Sequence, residues 1–314
     1  MRDVLTFGEA MVALRADQPI RIASTLRMSV AGAEANVSIG LARLGHRVGW
    51  VGCTGADEFG ALVLRTLRAE GVDISLAVEA EGPTGLVVFE PRTADVTRVQ
   101  YYRDRSAGSR IGPGHLESAL EEGARVIHTT GVTAALGPGP LLAVRAAARR
   151  AAALGSTFCL DVNYRSKLWS RQEAAATLRP VMPQVDILVA SDDELALAAP
   201  AGAVTEAEQV EALLESGVRE VVVKRGSEGA QVFDSSGSVA RPAVGVTVKD
   251  TVGAGDAFVA GYLSGFLDGE SVGQRLERGV TAGAFAVASI GDWEGLPARH
   301  ELGLITAAPG SAIR

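Results

Sequence analysis

The segment Asp250-Thr-Val-Gly-Ala-Gly-Asp-Ala-Phe258 places two glycines and a carboxylate at the expected start of a helix that continues through Leu263 and Phe266. Gly253 and Gly255 have no Cβ, so the turn can bend tightly and an anion can approach the main chain. Unpaired N–H groups and the helix dipole at that end favour negative charge, which suits a phosphoryl group in transfer. Asp256 could also accept a proton. A capped helix after a glycine turn would produce the same string, so the remaining candidate groups must separate the two readings.

Gly32-Ala33-Glu34-Ala35-Asn36 opens the first long helical stretch. Its glycine leaves room for a ligand, and the Asn36 amide can both donate to and accept from sugar hydroxyls; helix capping accounts for it equally well. In Tyr101-Tyr102-Arg103, residues two apart on a strand share a face, so Tyr101 and Arg103 point together and would suit a carboxylate bearing hydroxyls. A solvated strand edge is the alternative. Asn163-Tyr164-Arg165 follows the strand pattern Thr157 to Val162, at the end where open α/β sheets bind ligands. Arg165 there could neutralise phosphate or substrate carboxylate, or belong to a surface turn. Lys224-Arg225-Gly226-Ser227-Glu228-Gly229 follows an apolar strand with a turn that would admit a flat ligand or phosphate, although such turns are common connectors. Ser191-Asp192-Asp193-Glu194 could hold Mg²⁺ through water or form an acidic helix start.

These groups need elements to hold them. Short β-branched runs alternate with Ala/Leu-rich stretches of helical period, which favours parallel strands with crossover helices. Strands are predicted over 4–8, 48–51, 126–130, 157–162, 187–190 and 220–224. Helices are predicted over 33–44, 60–70, 140–154, 206–215, 254–267 and 275–289, with Gly45, Gly71 and Gly155 as C-terminal caps. A doubly wound sheet would gather the strand-end groups on one edge. Residues 12–30 and 86–103 lack helical period and alternate, and so predict antiparallel strands in a small sheet standing off the main domain; long loops are the alternative. The tail after Leu304 is expected to be loosely held.

The 314 residues are 47% hydrophobic and 21% charged, the composition of an ordered globular chain, and the net charge of −7 argues against a nucleic-acid partner. No leader pattern or long apolar span is present, so a cytoplasmic protein without a membrane partner is expected. Two distant cysteines, Cys53 and Cys159, and four scattered histidines supply neither a disulfide framework nor metal-ligand spacing.

No G-x-x-x-x-G-K-[ST] string occurs, and a dinucleotide reading of Gly253-x-Gly255 lacks a properly placed third glycine. The segment Asp250 to Phe258, paired with Gly32 to Asn36 and Ile39-Gly40-Leu41-Ala42-Arg43-Leu44-Gly45, resembles the two signatures of the ribokinase family of sugar kinases, also called PfkB, over nearly the whole chain. The resemblance implies one domain over 1–314: a three-layer α/β/α sandwich with a mostly parallel central sheet, and a β-sheet lid from about 12–31 and 84–104. It further implies ATP, Mg²⁺ and a monovalent cation such as K⁺. Asp256 would be the general base, and the N–H groups of Gly253, Ala254 and Gly255 would form the anion hole.

Gly8-Glu9-Ala10-Met11, Tyr101 to Arg103, Asp161 to Arg165 and Leu168-Trp169 are similar to the family's 2-keto-3-deoxygluconate kinases, which act on an acid sugar. By that likeness Gly32, Ala33, Asn36, Tyr101, Arg103, Arg165, Asp256 and Asp292 match substrate positions. Asn163, Arg165, Ser191, Lys224, Gly226, Gly229, Gly253 and Gly255 match nucleotide positions, and Glu194 matches a water-mediated metal position. Ser191 and Val280 stand where relatives often carry asparagine. A neutral-sugar or nucleoside kinase, or a silent ligand-binding protein, would be compatible with the same frame. Lids in relatives often pair between subunits, so a homo-oligomer is expected, with Val12, Leu14, Ile20 and Ile22 as its apolar face.

Overall fold

The computed structural model describes residues 2–93 and 96–306. The expectation for the tail after Leu304 therefore falls, from residue 307 on, outside the described residues.

Six buried strands run parallel: β1 Arg2–Phe7, β4 Val48–Val51, β9 Ala124–Thr130, β10 Thr157–Asp161, β11 Ile187–Ser191 and β12 Glu220–Lys224. Their continuous apolar character reflects cover on both faces. An antiparallel hairpin, β13 Ala230–Asp234 and β14 Gly237–Arg241, extends the sheet to the order β14-β13-β12-β11-β10-β9-β1-β4. The chain winds from β1 to β4 on one side and from β9 onward on the other. The C-terminal ends of the strands beside that reversal are where open sheets bind ligands.

Helices cover both faces. On one lie α3 Pro113–Glu122, α5 Pro138–Leu154, α6 Arg171–Leu178, α7 Leu195–Ala198 and α8 Glu206–Glu215, packed on Leu5, Phe158, Leu188 and Val221. The short α4 Gly131–Ala135 packs against α5 and α6. On the other face lie α1 Ala33–Arg43, α9 Ala254–Leu267 and α10 Val272–Val287, packed on Val4, Val126, Val189 and Val222. Gly40 lets α1 approach α9, because a Cβ there would lie 2.6 Å from that of Ala260. Gly45, Gly71 and Gly155 have φ of 89°, 80° and 69°, the left-handed geometry that glycine favours at helix ends.

A second sheet has the order β3-β2-β7-β8, from β2 Met11–Ala16, β3 Leu26–Ala31, β7 Leu86–Pro91 and β8 Thr97–Tyr102. The strands are the expected ones, but the pairing is mixed: β2 with β3 and β7 with β8 are antiparallel, whereas β2 and β7 run parallel. The long excursion between them, through β4, the short pair β5 Cys53–Thr54 and β6 Val78–Glu79, and helix α2 Glu58–Ala69, lets the chain return in the same direction. One face carries Met11, Ala13, Ala31, Val87 and Phe89 toward the strand ends of the main sheet. On the other, Val12 is fully buried in a cluster with Val63 and Leu67 of α2, which removes it from the expected oligomer face. Leu14 is half-buried, while Ile20, Ile22, Leu26 and Met28 are exposed, Ile22 at 68% and Met28 at 60%. Among the described residues no helix is long and apolar enough to cross a membrane.

Candidate active site

Two cavities meet at the C-terminal edge of the main sheet. A charged one of about 390 Å³ lies between that edge and the second sheet, and an apolar one of about 460 Å³ lies beside α9 and α10. Lys224, Thr251 and Gly255 line both.

The charged cavity brings together Gly32, Ala33, Asn36, Tyr101, Arg103, Asn163, Arg165, Ser191, Glu194, Lys224, Gly253, Gly255, Asp256 and Asp292, although they span more than two hundred positions of sequence. The apolar cavity takes Gly226, Gly229 and Ala254, with Val280 in its wall.

Asp256 lies in the first turn of α9 and is buried. Its Oδ2 accepts from Asn36 Nδ2 at 2.8 Å and its Oδ1 from Asn163 Nδ2 at 3.2 Å. Both signature segments thus converge on one carboxylate. Burial raises its pKa, opposed by the Asn36 hydrogen bond and the Arg165 charge. Asn163, matched by resemblance to the nucleotide side, turns its amide to Asp256 from a left-handed backbone, φ 40°, a conformation asparagine tolerates.

Gly253 is the N-cap of α9 with φ 75°, and a Cβ there would overlap the Asp292 carbonyl oxygen. Of the three N–H groups expected to form an anion hole, that of Ala254 makes a long bond, 3.4 Å, to the Thr251 carbonyl. Gly253 and Gly255 remain at a helix start, where the first turn has no intrahelical acceptors for its N–H groups.

Lys224 Nζ bridges both Asp161 oxygens at 2.9 and 2.8 Å, beside Gly255. Burial works against its charge, but Asp161 and Glu194 outweigh it and the pKa rises. Glu194 accepts from the N–H groups of Tyr164 and Ser191 at 2.6 and 2.9 Å, while the Ser191 hydroxyl donates to Asp193. Among the described residues no cluster of three or more His, Cys, Asp or Glu could hold a metal by itself.

Tyr101 and Arg103 both line the cavity, while Tyr102 faces outward, as the strand alternation requires. Arg103 is ion-paired to the buried Glu9, which also accepts from the Ser106 hydroxyl. Burial pushes Asp292 up to about 6, even though Arg15 pairs with it at 2.7 Å. Trp169 is buried, and its carbonyl accepts from the Tyr164 hydroxyl, which packs the loop carrying Arg165.

Sequence reasoning assigned no role to Glu9, which lines the charged cavity, or to Arg15 and Asp161, which pair with its lining residues Asp292 and Lys224. Asp161 and Lys224, charged residues closing otherwise apolar strands, were the available signal.

The residues suit a nucleotide. The apolar cavity is walled by Val244, Val246, Val248, Phe258, Ala284 and Val287 and floored by Gly226, Gly229 and Gly283, a slot for a flat base. A Cβ at Gly229 would overlap the main chain of Arg241 to Ala243. The slot opens onto Lys224 and the glycine turn, which offer a cation and N–H donors for phosphates.

A family model described as pfkB family carbohydrate kinase matches residues 1–299. The chain is 36% identical over 309 residues to the 2-dehydro-3-deoxygluconokinase of Thermoproteus tenax, covering 96% of this chain and 93% of that one. It is 34% identical over 313 residues to the Bacillus subtilis (strain 168) protein of the same name, covering 98% and 96%. Among solved structures, a proposed ribokinase II from E. coli in complex with ATP and Mg²⁺ superimposes with a TM-score of 0.90 at 25% identity, covering 97% and 99% of the two chains.

Proposed function

The chain belongs to the pfkB family of carbohydrate kinases, ATP-dependent enzymes that phosphorylate sugars, and on that premise we propose that it phosphorylates the C6 hydroxyl of 2-keto-3-deoxygluconate. The observation that carries this reading is the position of Asp256. Its carboxylate is buried and held by two amide donors where an anion-binding turn separates a charged cavity from an apolar one.

In this reading the adenine lies in the Val/Phe slot and the sugar beneath the second sheet, which acts as a lid. Asn36 and Asn163 fix the carboxylate oxygens of Asp256, and the carboxylate takes the proton of the hydroxyl as that oxygen bonds to the γ-phosphorus. The bond from phosphorus to the β,γ-bridging oxygen breaks, and ADP leaves. Gly253 and Gly255 N–H groups and Lys224 face the charge that develops. Glu194 would reach Mg²⁺ through water; when bound, Mg²⁺ neutralises phosphate oxygens. A monovalent cation such as K⁺ enters this reading on the family resemblance alone. Closure of the lid excludes water and so protects ATP from hydrolysis.

The acid-sugar assignment draws on two relatives named 2-dehydro-3-deoxygluconokinase and on Arg103 and Arg165, two guanidiniums in one small cavity. One observation favours a neutral sugar instead: the charge of Arg103 is already balanced by Glu9. The two readings separate in one variant. Arg103→Ala should lower kcat/KM for 2-keto-3-deoxygluconate by about tenfold or more, mostly through KM, and leave weak turnover of fructose or ribose nearly unchanged. An equal loss on both substrate types would refute the carboxylate role.

We place the enzyme in the cytoplasm as a homo-oligomer. Ile20, Ile22, Leu26 and Met28 form an exposed apolar face on the lid, the kind of surface that a second copy of the chain would cover. Small-angle scattering should give a mass of at least two chains, and Met28→Lys should lower it; a monomeric mass for the unmodified protein would contradict the proposal.

A further inference from the structure

We propose that Arg15 is a positioning residue that ties the second sheet to the anion-binding turn, so that covering the substrate and forming the turn become one event. This rests on the kinase reading of the site. Arg15 itself lines neither cavity. It leaves β2 on the face shared with Met11 and Ala13, and its guanidinium lies 3.9 Å from the centroid of the Phe89 ring, which does line the charged cavity. Nη1 donates to Asp250 Oδ2 at 2.9 Å and Nη2 to Asp292 Oδ2 at 2.7 Å.

Those two carboxylates flank the turn. Asp250 begins the segment that ends in Asp256, and its side chain also accepts from the N–H groups of Val252 and Gly291 at 3.1 and 3.4 Å. Asp292 presses its carbonyl into the space that a side chain on Gly253 would need. The next two residues dock on β3, where Trp293 Nε1 donates to the Val30 carbonyl at 3.0 Å and Glu294 accepts from the Ser29 hydroxyl. A contiguous path of contacts therefore runs from a cavity-lining ring through one guanidinium to the backbone of the anion-binding turn.

Only a planar fork can hold two carboxylates at fixed angles while stacking on a ring; a lysine ammonium offers a point charge on a flexible stem. Displacing the turn by even an ångström would misalign the reacting atoms, a loss that falls on turnover rather than on nucleotide affinity. Thr251, Ala254 and Gly255 of this segment reach the apolar slot, but its Val244, Val246, Val248 and Val287 walls belong to other elements, so nucleotide occupancy should be little affected.

The test uses the full-length enzyme with Arg15→Gln and Arg15→Lys, measuring sugar phosphorylation, sugar-independent ADP release, KM for ATP and melting temperature. Both variants should lose more than about tenfold in kcat, keep KM for ATP within about threefold, and release more ADP without sugar relative to sugar turnover. Turnover within about twofold of the unmodified enzyme in either variant would overturn the proposal, and so would a loss fully explained by the folded fraction. If the unmodified enzyme phosphorylates no sugar, the kinase reading itself has failed; if it does and Arg15→Gln matches it, only the coupling role has.

Discussion

Replacing Asp256 with Asn should lower kcat by about 10³-fold while ATP still binds. The change keeps size and shape, but an amide cannot take up a proton, so the hydroxyl must attack with its proton still bound. The two amide donors that now hold the carboxylate, Asn36 and Asn163, sharpen the effect, because one would have to turn or lose its partner when it meets a second amide NH₂. Titration calorimetry with ATP and a coupled ADP assay read the two halves of this expectation. Turnover within about tenfold of the unmodified enzyme would remove Asp256 from the base role.

The same residue predicts a pH dependence. Burial raises the pKa of Asp256 above its ordinary value, against the Asn36 hydrogen bond and the Arg165 charge. The base is competent only when ionised, so kcat/KM should fall as pH drops through this raised value, with an acid limb above the usual carboxylate range.

Gly253→Ala should cost about 10²-fold to 10³-fold in turnover and measurably lower the melting temperature. Two independent effects combine. A φ of 75° is strained for alanine, typically by about 1–2 kcal/mol. In addition, the new Cβ would overlap the carbonyl oxygen of Asp292, and that backbone is held by Arg15 and by Trp293 on β3, so it cannot easily withdraw. The turn would shift instead, taking the Gly253 and Gly255 N–H groups away from the γ-phosphate. Gly255→Ala is the informative contrast. A Cβ there meets only the Lys224 ammonium at 3.5 Å, so the fold should persist while phosphate approach is hindered. Equal melting temperatures for Gly253→Ala and the unmodified protein would show that the backbone constraint has been overestimated.

Much of this site was legible because its chemistry lies at strand ends and helix starts, where local patterns are strongest. Helices Glu206–Glu215 and Ala254–Leu267 and strand Glu220–Lys224 match the sequence-based boundaries, since caps or glycine turns mark their ends. The short helix Arg171–Leu178 was missed although Ser170 and Glu173 form a capping box, because it has little of the apolar periodicity that signals a helix. The hairpin Ala230–Arg241 was missed because its outer strand carries few buried apolar residues at the sheet edge.

The roles of Glu9 and Arg15 were illegible for a different reason. Each is a single charged residue in an apolar run, and its meaning comes from partners at Arg103, Asp250 and Asp292, which only tertiary structure brings near. Long-range ion pairs leave no period in a sequence. For the same reason the pair Arg103 and Glu9 alters the reading of Arg103: spacing exposed a cation for a carboxylate, and the fold supplied a competitor for it.

The central claim is that an acid sugar is phosphorylated at C6 by a base at Asp256. Its most direct test is a coupled ADP assay of the purified protein across 2-keto-3-deoxygluconate, its galactonate epimer, fructose, ribose and nucleosides, with ³¹P and ¹³C NMR of the product. The account predicts the highest kcat/KM for a 2-keto-3-deoxy acid sugar, with phosphorus coupled to C6. A higher kcat/KM for a neutral sugar or nucleoside, or phosphate at another carbon, would contradict it.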